Sequence, residues 1–163
     1  MKTKTVAFIG IFTALYVAVA MTAKIPLIGH IQTDLGYIVF GFALYMLGWK
    51  AFIVGALGCV FESLIFFGWI PYGWLPAQIV IGIVCGIVYK KTDKKAIHII
   101  TTILMVFIGI GLIKTIIECL MFGIPFEVKF MKDLIAFVAD TIPMLIGLFI
   151  AYGLRGRLLQ YME

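Results

Sequence analysis

Charge is what this chain has least of. Only 13% of its 163 residues are Asp, Glu, Lys or Arg, while 64% are hydrophobic and the mean hydropathy is +1.17. A water-soluble core of this size could not hide so much apolar surface, which excludes a soluble domain and implies an integral membrane protein. Cysteine is scarce as well. Cys59, Cys85 and Cys119 each fall inside an apolar run, without the spacing of a metal site and without a polar loop to hold a disulfide, so they read as packing residues and neither metal nor cofactor is expected. Catalytic motifs are missing: there is no GxSxG, no HExxH and no glycine-rich loop ending in GK[ST]. Nucleophilic, zinc and nucleotide-driven chemistry therefore lack their parts, and the chain reads as a non-enzyme. Its net charge of +5 follows from topology rather than from a nucleic-acid partner.

What is present is a series of long apolar runs. A span needs about 20 apolar residues. The chain reads as an all-α, integral membrane six-helix bundle in one transmembrane domain covering 1–163, with spans at about 5–23, 34–49, 51–68, 75–90, 97–122 and 131–154. The first run is too long for a signal peptide and lacks its cleavage site, so it is read as a retained span. Three polar or aromatic connections, 24–33, 69–74 and 123–130, alternate and so share one side. On the opposite side lie Lys2, Lys4, Lys50, Lys90, Lys91, Lys94, Lys95, Arg155 and Arg157, against Lys24, Lys129 and Lys132 on the first. This asymmetry predicts both termini in the cytoplasm and the three elaborated connections outside.

The polar residues within the spans cluster at one depth. Glu62 shares a helical face with Gly55, Gly58 and Cys59, Gln78 with Gly82 and Gly86, and Asp140 with Pro143, Gly147 and Ala151. Lys114 and Glu118 sit four apart in the fifth span. On the predicted topology all five polar groups fall in the outer half of the membrane, where each ionisable group costs roughly 2.5–3.5 kcal/mol on insertion scales. They are expected to meet in a cavity floored by close-packed small residues. Trp69, Tyr72 and Trp74 follow Glu62 across the turn Gly68–Gly73 and read either as an aromatic belt or as a lid over that cavity. Tyr37 stands near the start of the second span. Alternatives stay open: Lys114 could simply neutralise Glu118 or Asp140, His30 and Gln32 are read as solvated, Asp34 as an N-cap of the second helix, and His98 as facing headgroups.

The first span carries Ala14 and Ala18, an AxxxA pair extended by Ala7 and Gly10, which is a small-residue surface for another helix. Taken with six spans, cytoplasmic termini and the GALG segment leading into an aromatic, proline-containing outer loop, the chain resembles the substrate-binding S component of energy-coupling factor (ECF) transporters. That resemblance implies high-affinity binding of a vitamin-like molecule in a bacterial or archaeal plasma membrane. It also implies a transmembrane coupling subunit docking on Ala14 and Ala18, driven by two ABC ATPases. On this reading Glu62, Trp69, Tyr72, Trp74, Gln78, Lys114, Glu118, Asp140 and Tyr37 are the candidate substrate site. Its acid excess and aromatic rings favour a neutral or cationic aromatic heterocycle. The alternatives are an ion-coupled carrier, against which no inverted repeat is found, and an intramembrane hydrolase built on Glu62 and Asp140.

Overall fold

The structure, a computed structural model, describes residues 3–22, 24–26 and 32–162, with the side chains of 24–26, 32 and 155–162 left aside. His30 and Lys2 lie outside the described residues. The backbone is almost entirely helical: α1 (Thr3–Thr22), α2 (Gly36–Leu47), α3 (Ala51–Phe67), α4 (Trp74–Lys91), α5 (Lys95–Val106), α6 (Thr115–Phe122) and α7 (Phe126–Met162). Among the described residues, five helical stretches are long and apolar enough to cross a membrane, with Gly36–Phe67 counted as one.

That stretch is not straight. Gly48 has φ 60° and donates its amide back to the Leu44 carbonyl, ending α2 in a conformation that a residue with Cβ resists. One 3-10 turn, Gly48–Lys50, leads into α3. The chain then folds back, so that the Phe40 ring of α2 meets Gly55 of α3.

Two expectations for the connections are corrected. Within the first connection, read from the sequence as an outer loop over 24–33, Lys24–Pro26 (β1) pairs antiparallel with Gln32–Asp34 (β2), with Asp34 opposite Lys24. The last connection is much shorter than 123–130. Gly123 (φ 64°) stops α6, and Pro125 precedes a helix that already begins at Phe126, a place where a missing N–H costs nothing. Residues 126–130 are thus the first turn of α7.

The fifth run also departs from a single α-helix. Between α5 and α6 the ladder widens into a π-helical segment, Phe107–Lys114, and the Thr115 hydroxyl bonds the Ile110 carbonyl five residues back.

Small residues set the distances between helices, as their spacing suggested. Gly41 of α2 lies against the Met144 backbone of α7, and Gly147 against the Ile38 carbonyl, so a Cβ at either would strike main chain. Gly82 and Gly86 of α4 sit likewise on Phe52 and on the Gly48–Trp49 peptide. Around these seams Tyr16, Tyr37, Phe40, Leu44, Ile81, Ile110, Met144 and Leu148 are fully buried. Outward-facing Leu, Ile and Phe cover the bundle, as a hydrocarbon solvent permits.

His98 does not face headgroups. It is 1% exposed, stacked on Tyr89 with centroids 4.4 Å apart. Its Nε2 lies 2.7 Å from the Thr92 carbonyl and its Nδ1 2.5 Å from the Tyr152 hydroxyl. A carbonyl only accepts, so Nε2 carries a proton and donates it to Thr92, while Nδ1 is bonded to the Tyr152 hydroxyl. The sequence placed His98 at a helix start but could not show that α4 and α7 close over it.

Candidate functional site

Glu62 lies on α3 one turn beyond Gly58 and Cys59, and both of these are buried. Tyr16 of α1 packs its ring on Gly58, which brings α1 and α3 close enough for Tyr16 and Glu62 to border one cavity of about 470 Å³. Of the nine residues expected to form a substrate site, eight line it: Tyr37, Glu62, Trp69, Trp74, Gln78, Lys114, Glu118 and Asp140. Tyr72 does not. It is 48% exposed and lies outside the cavity lining.

The cavity has two walls of different electrical character. On one, Asp34 of β2 accepts from the Gly36 amide at 2.7 Å and from the Tyr16 hydroxyl at 3.0 Å. The first bond ties Asp34 to Gly36 at the start of α2, but the N-cap position is Leu35 and carries no side-chain cap, so the reading of Asp34 as the N-cap is corrected; the second bond turns the same carboxyl into a wall of the site. The Asp34 carboxyl also hydrogen-bonds Glu62, and Asp140 of α7 approaches the Asp34 amide. Burial, and then the Glu62 charge, push the Asp34 carboxyl up to about 7.

The opposite wall is a closed ion network. Lys114 bonds Asp133 and lies 3.7 Å from Glu118; Lys129 reaches Glu118 at 2.7 Å and Asp133 at 2.6 Å. The Thr115 hydroxyl donates to Asp133 at 2.7 Å. Two lysines and two carboxylates balance here, the arrangement that buried charges require. Lys114 therefore pairs with Asp133 and Glu118 together; a simple pair with Asp140 is not formed. Its ammonium also stands 4.4 Å from the Trp74 ring centroid, so one face of that indole is already covered by a cation.

Between the walls, Gln78 donates from Nε2 to the Tyr37 hydroxyl at 2.6 Å. Phe67 at the end of α3, and Trp69 and Pro71 of the α3–α4 connection, border the cavity.

Sequence reasoning missed Tyr16, Lys129 and Asp133, and assigned Asp34 only a capping role. The signal for Lys129 and Asp133 was their i,i+4 spacing, which carries meaning only once α7 is extended back to Phe126. Tyr16 gave no signal, being one aromatic residue in an apolar span.

A family model described as "ECF-type riboflavin transporter, S component" matches residues 1–160. The chain belongs to the ECF S-component family. The UPF0397 protein of Streptococcus thermophilus (strain ATCC BAA-491 / LMD-9) is 27% identical over 154 residues, spanning 88% of this chain and 85% of the relative. A second UPF0397 protein, from Streptococcus thermophilus (strain CNRZ 1066), is 31% identical over 91 residues, 55% of this chain and 50% of that protein. Among solved structures, the S-component for biotin from an ECF-type ABC transporter superposes with a TM-score of 0.70 at 18% identity, covering 95% of this chain and 92% of the other. This S component is accordingly a multi-pass plasma-membrane protein of a vitamin-uptake system, a transporter part rather than an enzyme.

Proposed function

We propose that this S component captures one small vitamin-like molecule in the 470 Å³ cavity and presents it for uptake, as a single transmembrane domain crossing the membrane six times with both termini cytoplasmic. The observation that carries this reading is the convergence of eight separately expected residues, from α2, α3, α4, α6, α7, the π-helical segment and the α3–α4 connection, on one cavity. A volume of that size suits a drug-sized ligand. Five carboxyl groups, Asp34, Glu62, Glu118, Asp133 and Asp140, stand against three lysines at the cavity, which favours a neutral or cationic ligand. Aromatic rings at its border favour a flat heterocycle. The family model names riboflavin and the solved relative biotin; riboflavin is the better match to such a lining.

Docking of the coupling subunit falls to α1. Ala7, Gly10, Ala14 and Ala18 are all exposed, and nothing lies within 4 Å of a Cβ built on Gly10. A small-residue strip left uncovered within the chain is what a partner helix needs for close approach. Two ABC ATPases acting through that subunit supply the energy.

The test is a melting screen of the detergent-purified protein against water-soluble vitamins and nucleobases. A ligand at about 1,000 times its Kd stabilises by about 4 kcal/mol. One strong, ion-independent hit is the expected result; shifts that require sodium would move an ion-coupled carrier ahead.

A further inference from the structure

Gln78 and Tyr37 meet at the cavity with part of their hydrogen-bonding capacity unspent. Both line it, and both are buried, at 1% and 2% exposed. The amide nitrogen of Gln78 donates to the Tyr37 hydroxyl at 2.6 Å, while Gln78 Oε1 has no partner in the protein. A phenol that accepts such a bond still carries its own proton, and among the described residues no hydrogen bond takes that proton up. The pair therefore shows one open acceptor beside one open donor. Turning the amide over only exchanges the roles: the hydroxyl then donates to Oε1, leaving an open amide N–H beside an open hydroxyl lone pair. In either setting a donor stands next to an acceptor, whatever the charge on the carboxyls and lysines around the cavity.

The surroundings hold this pair without completing it. The Tyr37 ring meets Tyr16 and Phe40 edge-on and Trp74 at a tilt, with centroids 6.3, 6.4 and 6.5 Å away. Gln78 Oε1 stands 3.1 Å from the place a Cβ on Gly55 would occupy, so the glycine leaves that oxygen uncapped by a side chain. Buried polar atoms are seldom left unmade in proteins. An open donor and an open acceptor side by side in a cavity wall are what a ligand with the complementary edge would satisfy.

We propose that Gln78 and Tyr37 read a neutral cis-amide edge of the ligand, an N–H beside a C=O as in lactams, imides and ureides, with the N–H donating to Gln78 Oε1 and the carbonyl accepting from the Tyr37 hydroxyl. The inference rests on reading the cavity as the vitamin site and deepens it, naming the edge by which the site tells one flat heterocycle from another. A carboxylate edge offers only acceptors and an ammonium only donors, so either leaves one member of the pair unmade. Sites built to hydrogen-bond a ligand reject analogues that lack the matching group, because their own buried polar atoms are then stranded.

Calorimetry on the full chain in detergent tests the edge with vitamins in which it is intact or blocked. Riboflavin is set against 3-methylriboflavin, which carries a methyl in place of the imide N–H, and biotin against biotin methylated on both ureido nitrogens. Thiamine and pyridoxine, which have no such edge, complete the panel. At least one parent vitamin is expected to bind, and at least about tenfold tighter than its methylated form, because the methyl strands a buried acceptor. Gln78→Leu, near the native residue in shape, should bring that ratio to within about twofold, since no acceptor remains to miss the N–H; purely steric exclusion of the methyl would persist in this variant. Tyr37→Phe, which keeps the ring, should weaken the parent vitamin several-fold. Equal binding of parent and methylated forms, or a ratio unchanged in Gln78→Leu, overturns the amide edge, and the first of these comparisons needs no variant. Tight binding confined to vitamins without the edge, such as thiamine or pyridoxine, leaves the vitamin-site reading standing and removes this inference alone. If neither the panel nor any other water-soluble vitamin binds, both fall.

Discussion

Asp34 shows how one side chain can serve fold and function together. Its two oxygens hold the start of α2 and the Tyr16 hydroxyl, yet it also faces Glu62 in the cavity. The free carboxyl titrates near 3.9, whereas burial and Glu62 push this one up to about 7. Between those values the folded protein holds a proton that the unfolded chain has released. The stability contributed by this group is therefore full below about 4 and is lost as pH rises through about 7. Ligand-free protein should melt higher at about pH 5.5 than at about pH 8, and Asp34→Asn should flatten that difference; an unaltered slope in the variant would exonerate Asp34. Lys114 teaches the complementary lesson. The sequence offered Glu118 as its partner by spacing, but the tightest contact is with Asp133, 19 residues away, and spacing along one helix cannot report a neighbour on another.

Among the elements, α1 presents an exposed face of small residues. Its Tyr16 side packs on Gly58 and reaches Asp34, while the Ala7, Gly10, Ala14 and Ala18 side is exposed. Helix association in lipid depends on small residues that let backbones approach, so bulk on the outer strip should separate binding from transport. Ala14→Trp and Ala18→Trp are expected to abolish uptake in cells while leaving the ligand Kd of the purified protein within about twofold. Parallel loss of both activities would place the strip inside the folding core instead. The fifth run is the element least readable beforehand. Its apolar pattern marked a span, but the widened ladder over Phe107–Lys114 follows from packing: Gly109 lies against Ile81, and Lys114 is turned toward Asp133 and Trp74. Likewise α7 was drawn too short, because Glu127, Lys129 and Lys132 make its first turns polar; Glu127 and Lys132 are exposed, whereas Lys129 is buried in the ion network, which its spacing alone could not show.

Over the whole molecule, the asymmetry of basic residues predicts where the chain ends lie. Reporter fusions or impermeant labels at either terminus should report the cytoplasm, with the 69–74 connection reached only from outside; a terminus labelled from outside would overturn the topology. Membrane class, helix content and the meeting of the polar groups at one cavity were legible in the sequence, since each follows from how many apolar residues a bilayer demands and from the expense of placing charge within it. Even the seams were legible, because glycine and alanine at helical spacing mark where backbones can touch. Contacts between helices were not. Which carboxyls would be neutralised and which left facing a cavity depends on how the helices are rotated and crossed, as at Gly41 on Met144 and Gly147 on Ile38. Only the tertiary structure decided that Lys114 and Lys129 balance Glu118 and Asp133, leaving Asp34, Glu62 and Asp140 together on the other wall. The physical reason is that charge compensation acts over a few ångströms in space, and a linear chain carries no record of which residues those ångströms will join.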